Sequence, residues 1–522
     1  MAKYKPYDYD QMVMIPINLK DQLEPGTLEY AIHELVEKKI DTSIFEERFQ
    51  NDETGAAAFS PKILLKIVLF AYSRGITGSR PIERACHENI LFMALGCGYQ
   101  PDHSTIAHFV SSMKEEIEII FCNILLVCEE LNLLGGTHFS LDGLKLPSNA
   151  SKEWSGTFKE LEKKRNKLQE KLHELLCEHI RKDTLSQSDT DRRDKQKKRL
   201  EQQVQRLDKF LRENTPKPGK TKKEIQSNLT DNESAKMPTS HGVIQGYNAQ
   251  AIVDEKHQII LHAEAFGNGQ DHENLKPMLQ GAKKNLKAIG KGEDCLEDKQ
   301  LSADSHKVIP SRDNYHSKEN LTTCKEEGID AYIPDPQFRK RDVRFAEQDR
   351  FKDGINPRKP IKKSKRNTFT KDDFFWDEKK QCYICKNGKV LKRKARAQKM
   401  RNVIYDMYRA KSGDCAICPL RLQCLSTPHT QSRYLLIPVD RPPGEKRKAG
   451  LVQQMKAKID KPEGRKIYSK RLAIVEPVFA NIRVGKRLDR FTLRTKSKVN
   501  VQWMLYALVH NIEKIVNYGM TY

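Results

Sequence analysis

Five cysteines in a short stretch constrain this chain more than any other feature of its sequence. They occur as Cys382-x2-Cys385 and, 29 residues later, as Cys415-x2-Cys418-x5-Cys424. Thiolates two residues apart converge on one tetrahedral ion, so the spacing predicts a structural zinc site. Five candidates compete for four positions. We choose Cys385, Cys415, Cys418 and Cys424, with Cys382 as the alternative, and leave an iron–sulfur cluster or unligated thiols as the other interpretations.

The remaining cysteines give no sign of a disulfide framework. Twelve cysteines in 522 residues is far below the density of small secreted domains. The N-terminal residues lack the apolar segment of a secretory signal, and no run of about 18 apolar residues occurs. We therefore expect a protein of a reducing compartment that does not enter a membrane.

The charge balance indicates a polyanionic partner. Lys and Arg number 93 against 70 Asp and Glu, a formal charge of +23. The surplus is clustered, and residues 339–366 alone hold twelve Lys or Arg and four acids. Nucleic acid is the simplest partner for such a chain, and a merely basic soluble protein is the alternative.

Residues 1–135 have the pattern of short helices. Ser60-Pro61 is a helix start, Ser79 begins a second helix, and residues 101–105 begin a third that we expect to run to about residue 134. Short helices with tight turns favour a helix-turn-helix-like DNA-binding module, and a helical domain that only packs is the alternative.

After residue 135 the spacing of apolar residues changes from that of helices to that of strands. Residues 137–141 predict a short strand ending in a turn at Asp142-Gly143, residues 246–266 predict a hairpin, and residues 300–304 predict a strand ending at Asp304. Between the first strand and this hairpin, residues 152–214 carry two leucine-rich stripes at helical spacing. These stripes predict a long helical hairpin.

Three carboxylates in this basic chain have a specific possible use. Asp142 and Asp304 end predicted strands, and Glu476 stands alone among cations on a predicted helix. Two Mg²⁺ ions about 3.5–4 Å apart need such hard oxygen ligands to bind the attacking and leaving oxygens of a phosphodiester. By spacing alone, the rival carboxylates Asp231, Asp254 and Asp271 are equally eligible.

Over nearly its whole length the chain resembles the DDE transposases of bacterial insertion sequences that carry a Tyr-Arg-Glu-Lys signature. The motifs that carry the resemblance are PDHSTIAHF (101–109), FSLDGLKLPSNASK (139–152), GYNAQAIVDEKHQII (246–260), LSADS (301–305), YICKNGKVL (383–391), CAICPLRLQC (415–424) and YSKRLAIVEPVFANIR (468–483). Four residues separate Arg471 from Glu476 where the general signature has three. The usual lysine is replaced by Arg483 or shifted to Lys486.

The resemblance implies a mixed α/β (α+β) fold with an RNase H-like catalytic core. We expect a helical N-terminal DNA-binding domain, a helical-hairpin insertion and a small Cys-rich insertion around that core. The expected bounds are 1–135 for the helical domain, 136–151 for the first core strand, 152–240 for the hairpin and linker, 241–334 for the core, 335–440 for the Cys-rich insertion and 441–522 for the C-terminal helices.

The resemblance also implies a reaction and the residues that serve it. Asp142, Asp304 and Glu476 are expected to bind Mg²⁺ or Mn²⁺ and to catalyse cleavage and strand transfer. The residues expected to contact DNA phosphate are Tyr468, Arg471, Arg483 and Lys486.

The expected partners are the terminal inverted repeats of the element and the target DNA, bound by the N-terminal helices and residues 339–366. The protein is expected to act as a homodimer on DNA, in the bacterial cytoplasm at the nucleoid. A catalytically silent zinc-containing DNA-binding derivative and a nuclease of the same fold are the alternatives.

Overall fold

The computed structural model describes residues 18–48, 57–181, 187–219, 223–239, 242–290, 307–310, 315–345, 369–400, 403–425, 427, 429–439 and 450–519. The chain divides into two compact units. Unit 1 consists of residues 1–339 and 451–522, and unit 2 consists of residues 340–450. The finer domain boundaries predicted above stay predictions.

The described residues mix helices and strands, which confirms the predicted α/β class. The helices are α1 (Leu28–Lys38), α2 (Pro61–Ser73), α3 (Ser79–Glu88), α4 (Ile90–Leu95), α5 (His103–Ser112), α6 (Glu115–Glu130), α7 (Phe158–Arg181), α8 (Gln187–Glu213), α9 (Leu275–Ala288), α10 (Lys318–Glu326), α11 (Ser412–Ala416), α12 (Arg421–Cys424), α13 (Leu451–Asp460), α14 (Pro462–Ser469), α15 (Arg471–Ile474), α16 (Glu476–Ala480) and α17 (Lys496–Tyr518). None of them is long and apolar enough to cross a bilayer.

The strands form a large sheet in unit 1, a smaller sheet in unit 2 and two short ladders. They are β1 (His138–Pro147), β2 (Ser155–Gly156), β3 (Lys217–Pro218), β4 (Glu224–Ile225), β5 (Ser227–Asn228), β6 (Ala235–Thr239), β7 (Gly242–Asp254), β8 (Ile260–Phe266), β9 (Lys307–Pro310), β10 (Asp330–Ala331), β11 (Phe375–Asp377), β12 (Cys382–Ile384), β13 (Val390–Met400), β14 (Val403–Ala410) and β15 (Tyr434–Pro438).

The large sheet has β1 at its centre. On one side β7 runs antiparallel to β1, and β6 and β8 both pair antiparallel with β7. On the other side β9 runs parallel to β1, and β10 runs parallel to β9. The pairing of β7 with β8 confirms the predicted hairpin at 246–266.

The N-terminal helices share one hydrophobic core with this sheet. The rings of Tyr72 in α2 and Tyr506 in α17 pack with centroids 5.1 Å apart, and both side chains are buried. About one turn earlier in α17, Trp503 Nε1 donates to the carbonyl of Gln250 in β7 at 2.9 Å. The long C-terminal helix therefore joins the N-terminal helices to the strands of unit 1.

The third predicted helix is two helices in the structure. Asp102 caps α5 by accepting from the backbone N–H groups of Ser104 and Thr105 at 2.7 and 2.9 Å. The helical conformation stops at Ser112, and α6 starts afresh at Glu115. Glu116 accepts from the backbone N–H of Lys114 at 2.9 Å, which satisfies a donor that the break exposes.

The helical hairpin is formed by α7 and α8, which pack against each other. Leu161 of α7 is buried against Leu207 and Phe210 of α8. At the start of α17, Asp231 accepts from the backbone N–H of Thr495 at 3.1 Å and Glu233 accepts from that of Lys496 at 2.6 Å. The segment that follows the hairpin is therefore bonded to the same helix that organises the core.

The predicted turn at Asp142-Gly143 is wrong, because β1 continues through both residues to Pro147. Gly143 lies opposite Gln250 of β7, and a Cβ at position 143 would come within 2.3 Å of Gln250 Nε2 and 2.7 Å of Asn248 Oδ1. Glycine is required here because these buried amides cross the strand.

Gly143→Ala is expected to destabilise unit 1. The added methyl group displaces the Gln250 amide, which donates to Asp271 Oδ1 at 3.1 Å inside the core. Overpacking of this kind costs about 1–3 kcal/mol. Denaturant unfolding followed by far-UV circular dichroism should show an earlier midpoint. Gly413→Ala is the control, since a Cβ there meets nothing within 4 Å, and an unshifted Gly143→Ala midpoint would contradict the packing argument.

Candidate active site

The central strand of the large sheet carries the first predicted carboxylate. Asp142 is 8% exposed and lies opposite Ala251 of β7. The neighbouring residue Leu141 lies opposite Pro310, the last residue of β9. Asp142 is therefore adjacent to the point where the parallel strand β9 leaves the sheet.

The helical segment from α14 to α16 packs against these same strands. Tyr468 packs against a small buried cluster of Ile309 of β9, Tyr332 and Ile467, and its ring centroid lies 5.1 Å from that of Phe338. α15 packs against β1. The side chain of Gln258, in the turn between β7 and β8, donates to the carbonyl of Ala473 in α15 at 2.8 Å.

Three residues of the predicted signature lie together on this segment. The guanidinium of Arg471 lies 5.1 Å from the ring centroid of Tyr468, and its Nη1 donates to Glu476 Oε1 at 3.4 Å. The side chain of Glu476 is 55% exposed and that of Arg471 is 12% exposed. Glu476 thus presents a carboxylate at the surface, with a nearly buried cation beside it.

The two candidates for the signature lysine differ in exposure. Arg483 is exposed on a short π-helical segment, Asn481–Gly485. Lys486 is 1% exposed, and its Nζ donates to Glu513 Oε2 of α17 at 2.6 Å. Burial lowers the pKa of Lys486, and Glu513 opposes that change. Of the two candidates, Arg483 is therefore the one whose side chain lies at the surface.

Asp304 lies outside the described residues, and so does the strand predicted at 300–304. The strand described beside β1 begins three residues later, at Lys307. Within the described part of the chain, no group of three or more His, Cys, Asp or Glu side chains is arranged to hold a metal ion. The structure packs α15, the helix that precedes Glu476, against β1, the strand that carries Asp142.

The three rival carboxylates all have structural hydrogen bonds. Asp254 accepts from the backbone N–H groups of Gly135 and Gly136 at 3.0 and 2.9 Å. Asp231 accepts from Tyr247 Oη at 2.9 Å, and Asp271 accepts from Asn248 Nδ2 at 2.6 Å. Each is at most 4% exposed. Asp142 is also buried and accepts from the backbone N–H of Gly143 at 2.7 Å.

The cysteines of unit 2 gather round a small cavity. Cys385, Cys415, Cys418 and Cys424 all line this cavity of ≈ 30 Å³, whereas Cys382 is buried in β12 and does not line it. The backbone N–H of Lys389 donates to Cys385 Sγ at 3.3 Å, and Asn387 Nδ2 donates to Cys418 Sγ at 3.5 Å.

Electrostatics also connect these thiols. Burial raises the pKa of Cys424, and Cys415, Cys385 and Cys418 raise it further while Arg433 lowers it. The four sulfurs are therefore near neighbours, although their present arrangement does not meet the geometry of a bound metal ion.

Two segments of the chain match models of known families. Residues 384–516 match the model described as "Transposase DDE domain", and residues 17–112 match the model described as "Transposase domain (DUF772)". No curated protein and no solved structure gives a significant match. The first match contains Glu476 and the four cysteines of the cavity, and Asp142 and Asp304 lie outside both.

Transposase domains thus occur towards both ends of the chain, on either side of the strands of the large sheet. Together the two family-model matches support a DDE transposase of an insertion element.

Proposed function

We propose that this protein binds the ends of its own mobile element and catalyses metal-dependent DNA cleavage and strand transfer. The observation that carries the proposal is the packing of the segment 468–476 against β1 and β9. This segment carries Glu476, a surface carboxylate, and its packing against β1, the strand of Asp142, supports a shared site for the two carboxylates. The order of the large sheet, with β9 and β10 parallel to β1 and β7 antiparallel, supports an RNase H-like core.

The donor set fits a hard divalent cation. Asp142 and Glu476 supply carboxylate oxygens, the ligands that Mg²⁺ and Mn²⁺ prefer. We propose Asp304 as the third ligand, on the motif LSADS. Such a cation would supply the activation of water and the stabilisation of the leaving oxygen. Asp142 lies on the central strand β1 and Glu476 at the start of α16, which positions these two carboxylates before DNA binds.

The cations near Glu476 fit contacts to phosphate. Arg471 is held by the ring of Tyr468 and by Glu476, so its guanidinium is oriented before any ligand arrives. Planar guanidinium groups bind phosphate through two parallel hydrogen bonds. We propose that Tyr468 and Arg471 contact the phosphate at the scissile bond. Arg483, being exposed, replaces the signature lysine, and Lys486 instead fastens its segment to α17.

The proposal also includes recognition of the element's ends and the assembly of two copies of the protein. The N-terminal helices and the basic residues 339–366 bind the inverted repeats, and two copies act together because two ends must be joined. Residues 346–366 of that stretch lie outside the described residues. As the transposase of a bacterial insertion sequence, the protein would work in the cytoplasm at the nucleoid.

We propose that Cys385, Cys415, Cys418 and Cys424 hold a structural Zn²⁺ that closes the small sheet of unit 2. Three points support this ligand set: the shared cavity, the N–H···S bonds and the exclusion of Cys382 from the cavity. Zinc in a closed site of four thiolates contributes folding energy and no chemistry.

Cys415→Ser is expected to lose the bound zinc and to loosen unit 2. Elemental analysis of purified wild-type protein should find about one zinc per chain. Cys382→Ser is the matched control, and we expect it to keep the metal. Wild-type protein with much less than one zinc per chain would overturn the ligand set. Equal loss of zinc from Cys415→Ser and Cys382→Ser would do the same.

The function is tested with DNA that carries the flanks of this protein's own gene. Incubation with wild-type protein and Mg²⁺ is expected to give cuts at the inverted repeats and joined products, and none with EDTA. Cuts without joined products would assign a nuclease of the same fold. Binding without cuts, by protein with a full zinc site, would assign a silent DNA-binding derivative.

A further inference from the structure

The two strands β13 and β14 form a ribbon of unusual charge, called here the basic ribbon (Val390–Met400 and Val403–Ala410). The eleven residues of β13 include five cations and no acid. All five side chains are exposed: Lys392, Arg393, Lys394, Arg396 and Lys399. β14 adds Arg409, and Asp406 is the one acid in the two strands.

The charges of the basic ribbon repel one another across the strands. Lys392 lies directly opposite Arg409, and like charges in such a cross-strand pair destabilise a sheet. Asp406 neutralises only part of the surplus, because it pairs with Arg393 at 3.2 Å and accepts from the backbone N–H of Ala397 at 3.0 Å. Folding alone gives no reason for this concentration of cations.

Burial holds the basic ribbon at one end only. Among its residues with described side chains, those that are buried are Leu391, Tyr408 and Ala410, which pack in the core of unit 2. The described pairing of β12 with β13 is limited to Val390 and Leu391. Among the described strands, β13 therefore has no partner on this edge from Lys392 onward. The cations of β13 lie on this part of the strand, which has no buried side chain.

The backbone distributes these cations round the strand. The register with β14 shifts between Arg393 and Ala395 and again between Ala395 and Gln398, and Ala397 has φ +50°. Bulges of this kind increase twist and redirect side chains. Close to the connection with β14, Met400 and Ile404 are each 48% exposed. The basic ribbon thus ends in apolar groups and is flanked by cations.

We propose that the basic ribbon lies in a groove of duplex DNA, with its cations on the phosphates of both strands. The inference rests on the proposed function, and it names a DNA contact outside the N-terminal helices and residues 339–366. The major groove is about 12 Å wide and admits a two-stranded β-ribbon. Phosphates neutralise the Lys392–Arg409 repulsion, and the exposed Met400 and Ile404 meet the base edges.

A competing explanation is protection of an open sheet edge. Lysines on an edge strand prevent edge-to-edge aggregation. That role accounts for some of the charges on β13, but it predicts no salt-dependent contact with DNA. The two explanations therefore give different results when lysines are removed.

The test uses full-length Lys394→Ala/Lys399→Ala and a fluorescein-labelled DNA duplex, with anisotropy measured at several salt concentrations. The control is Lys379→Ala/Lys380→Ala, which removes the same charge from two exposed lysines between β11 and β12. Each lost phosphate contact lowers the slope of log K against log salt by about 0.9, so we expect a change of about 1.8. Binding near physiological salt should weaken about tenfold or more, and the control should match the wild type.

The outcomes separate this inference from the proposed function. Failure of the wild type to bind DNA would overturn both. If the ribbon variant binds DNA with the affinity and salt slope of the wild type, only the ribbon inference is overturned. Aggregation of the variant with an unchanged salt slope would also overturn it. If the double variant loses its near-UV circular dichroism, Lys399→Ala replaces it, because Lys399 is remote from the buried end. A slope change of about 0.9 is then expected, and an unchanged slope would refute the inference.

Discussion

Asp142→Asn and Glu476→Gln are each expected to abolish cleavage of the element ends while DNA binding persists. Either change removes a charged ligand of the proposed cation pair and keeps the shape of the side chain. The loss of several kcal/mol of charge stabilisation in the transition state corresponds to a rate loss on the order of 10³-fold or more. Single-turnover cleavage of end-labelled DNA measures the rate, and a gel shift with the same DNA measures binding.

A matched control exists for Glu476. Glu463 is an exposed glutamate in the first turn of α14 and follows Pro462, whereas Glu476 starts α16 and precedes Pro477. Glu463→Gln removes one negative charge from the same segment and is expected to leave cleavage unchanged. Equal losses of cleavage rate in Glu463→Gln and Glu476→Gln would mean that the net charge of this segment, and not the position of Glu476, determines cleavage. A fully active Glu476→Gln would remove Glu476 from the proposed site.

Local signals in the sequence predicted several elements well. Ser60 and Pro61 mark the start of α2, and two apolar runs about a polar turn predicted the β7–β8 hairpin. In such elements neighbouring residues determine the backbone, so a short window is sufficient. The mixed α/β class was implied by the resemblance to the family, and the helices and strands of the described residues agree with it.

Partners that are distant in sequence explain what the neighbouring residues alone did not predict. Asp142-Gly143 has the composition of a turn, yet it continues a strand because it pairs with β7, more than a hundred residues away. Gln250 of β7 leaves room only for a glycine opposite it. Lys486 lies in a basic stretch that suggests solvent or DNA, and its partner Glu513 lies on α17. Neither partner is visible from the residues next to the position concerned.

The antiparallel sheet of unit 2 was not predicted for a different reason. Its strands are short or strongly charged, so they lack the alternation of apolar and polar residues that indicates a half-buried strand. The side chains of Tyr408 and Leu391 anchor the basic ribbon at one end. The sheet becomes apparent only from the pairing of β13 with β14 and of β14 with β15.

The identity of the second aspartate gives the sharpest remaining prediction. The motif LSADS favours Asp304, which precedes the first residue of β9 by three positions. Asp313 follows the last residue of β9 by three positions, and that last residue, Pro310, lies opposite Leu141, next to Asp142. Both aspartates lie outside the described residues. The parallel pairing of β9 with β1 is therefore the structural reason to test them as a pair.

One of the variants Asp304→Asn and Asp313→Asn, and not both, is expected to abolish cleavage, again on the order of 10³-fold or more. Three residues span at most about 10 Å, whereas His138 and Asp142 are four residues, about 13 Å, apart along β1. Loss in Asp313→Asn would assign the third carboxylate to the segment that follows β9, and loss in Asp304→Asn would assign it to the segment that precedes β9. Each variant serves as the control for the other, since both remove one charge from the same segment. Full activity in both would contradict a third carboxylate from this region and would leave Asp142 and Glu476 without the partner that the proposed chemistry requires.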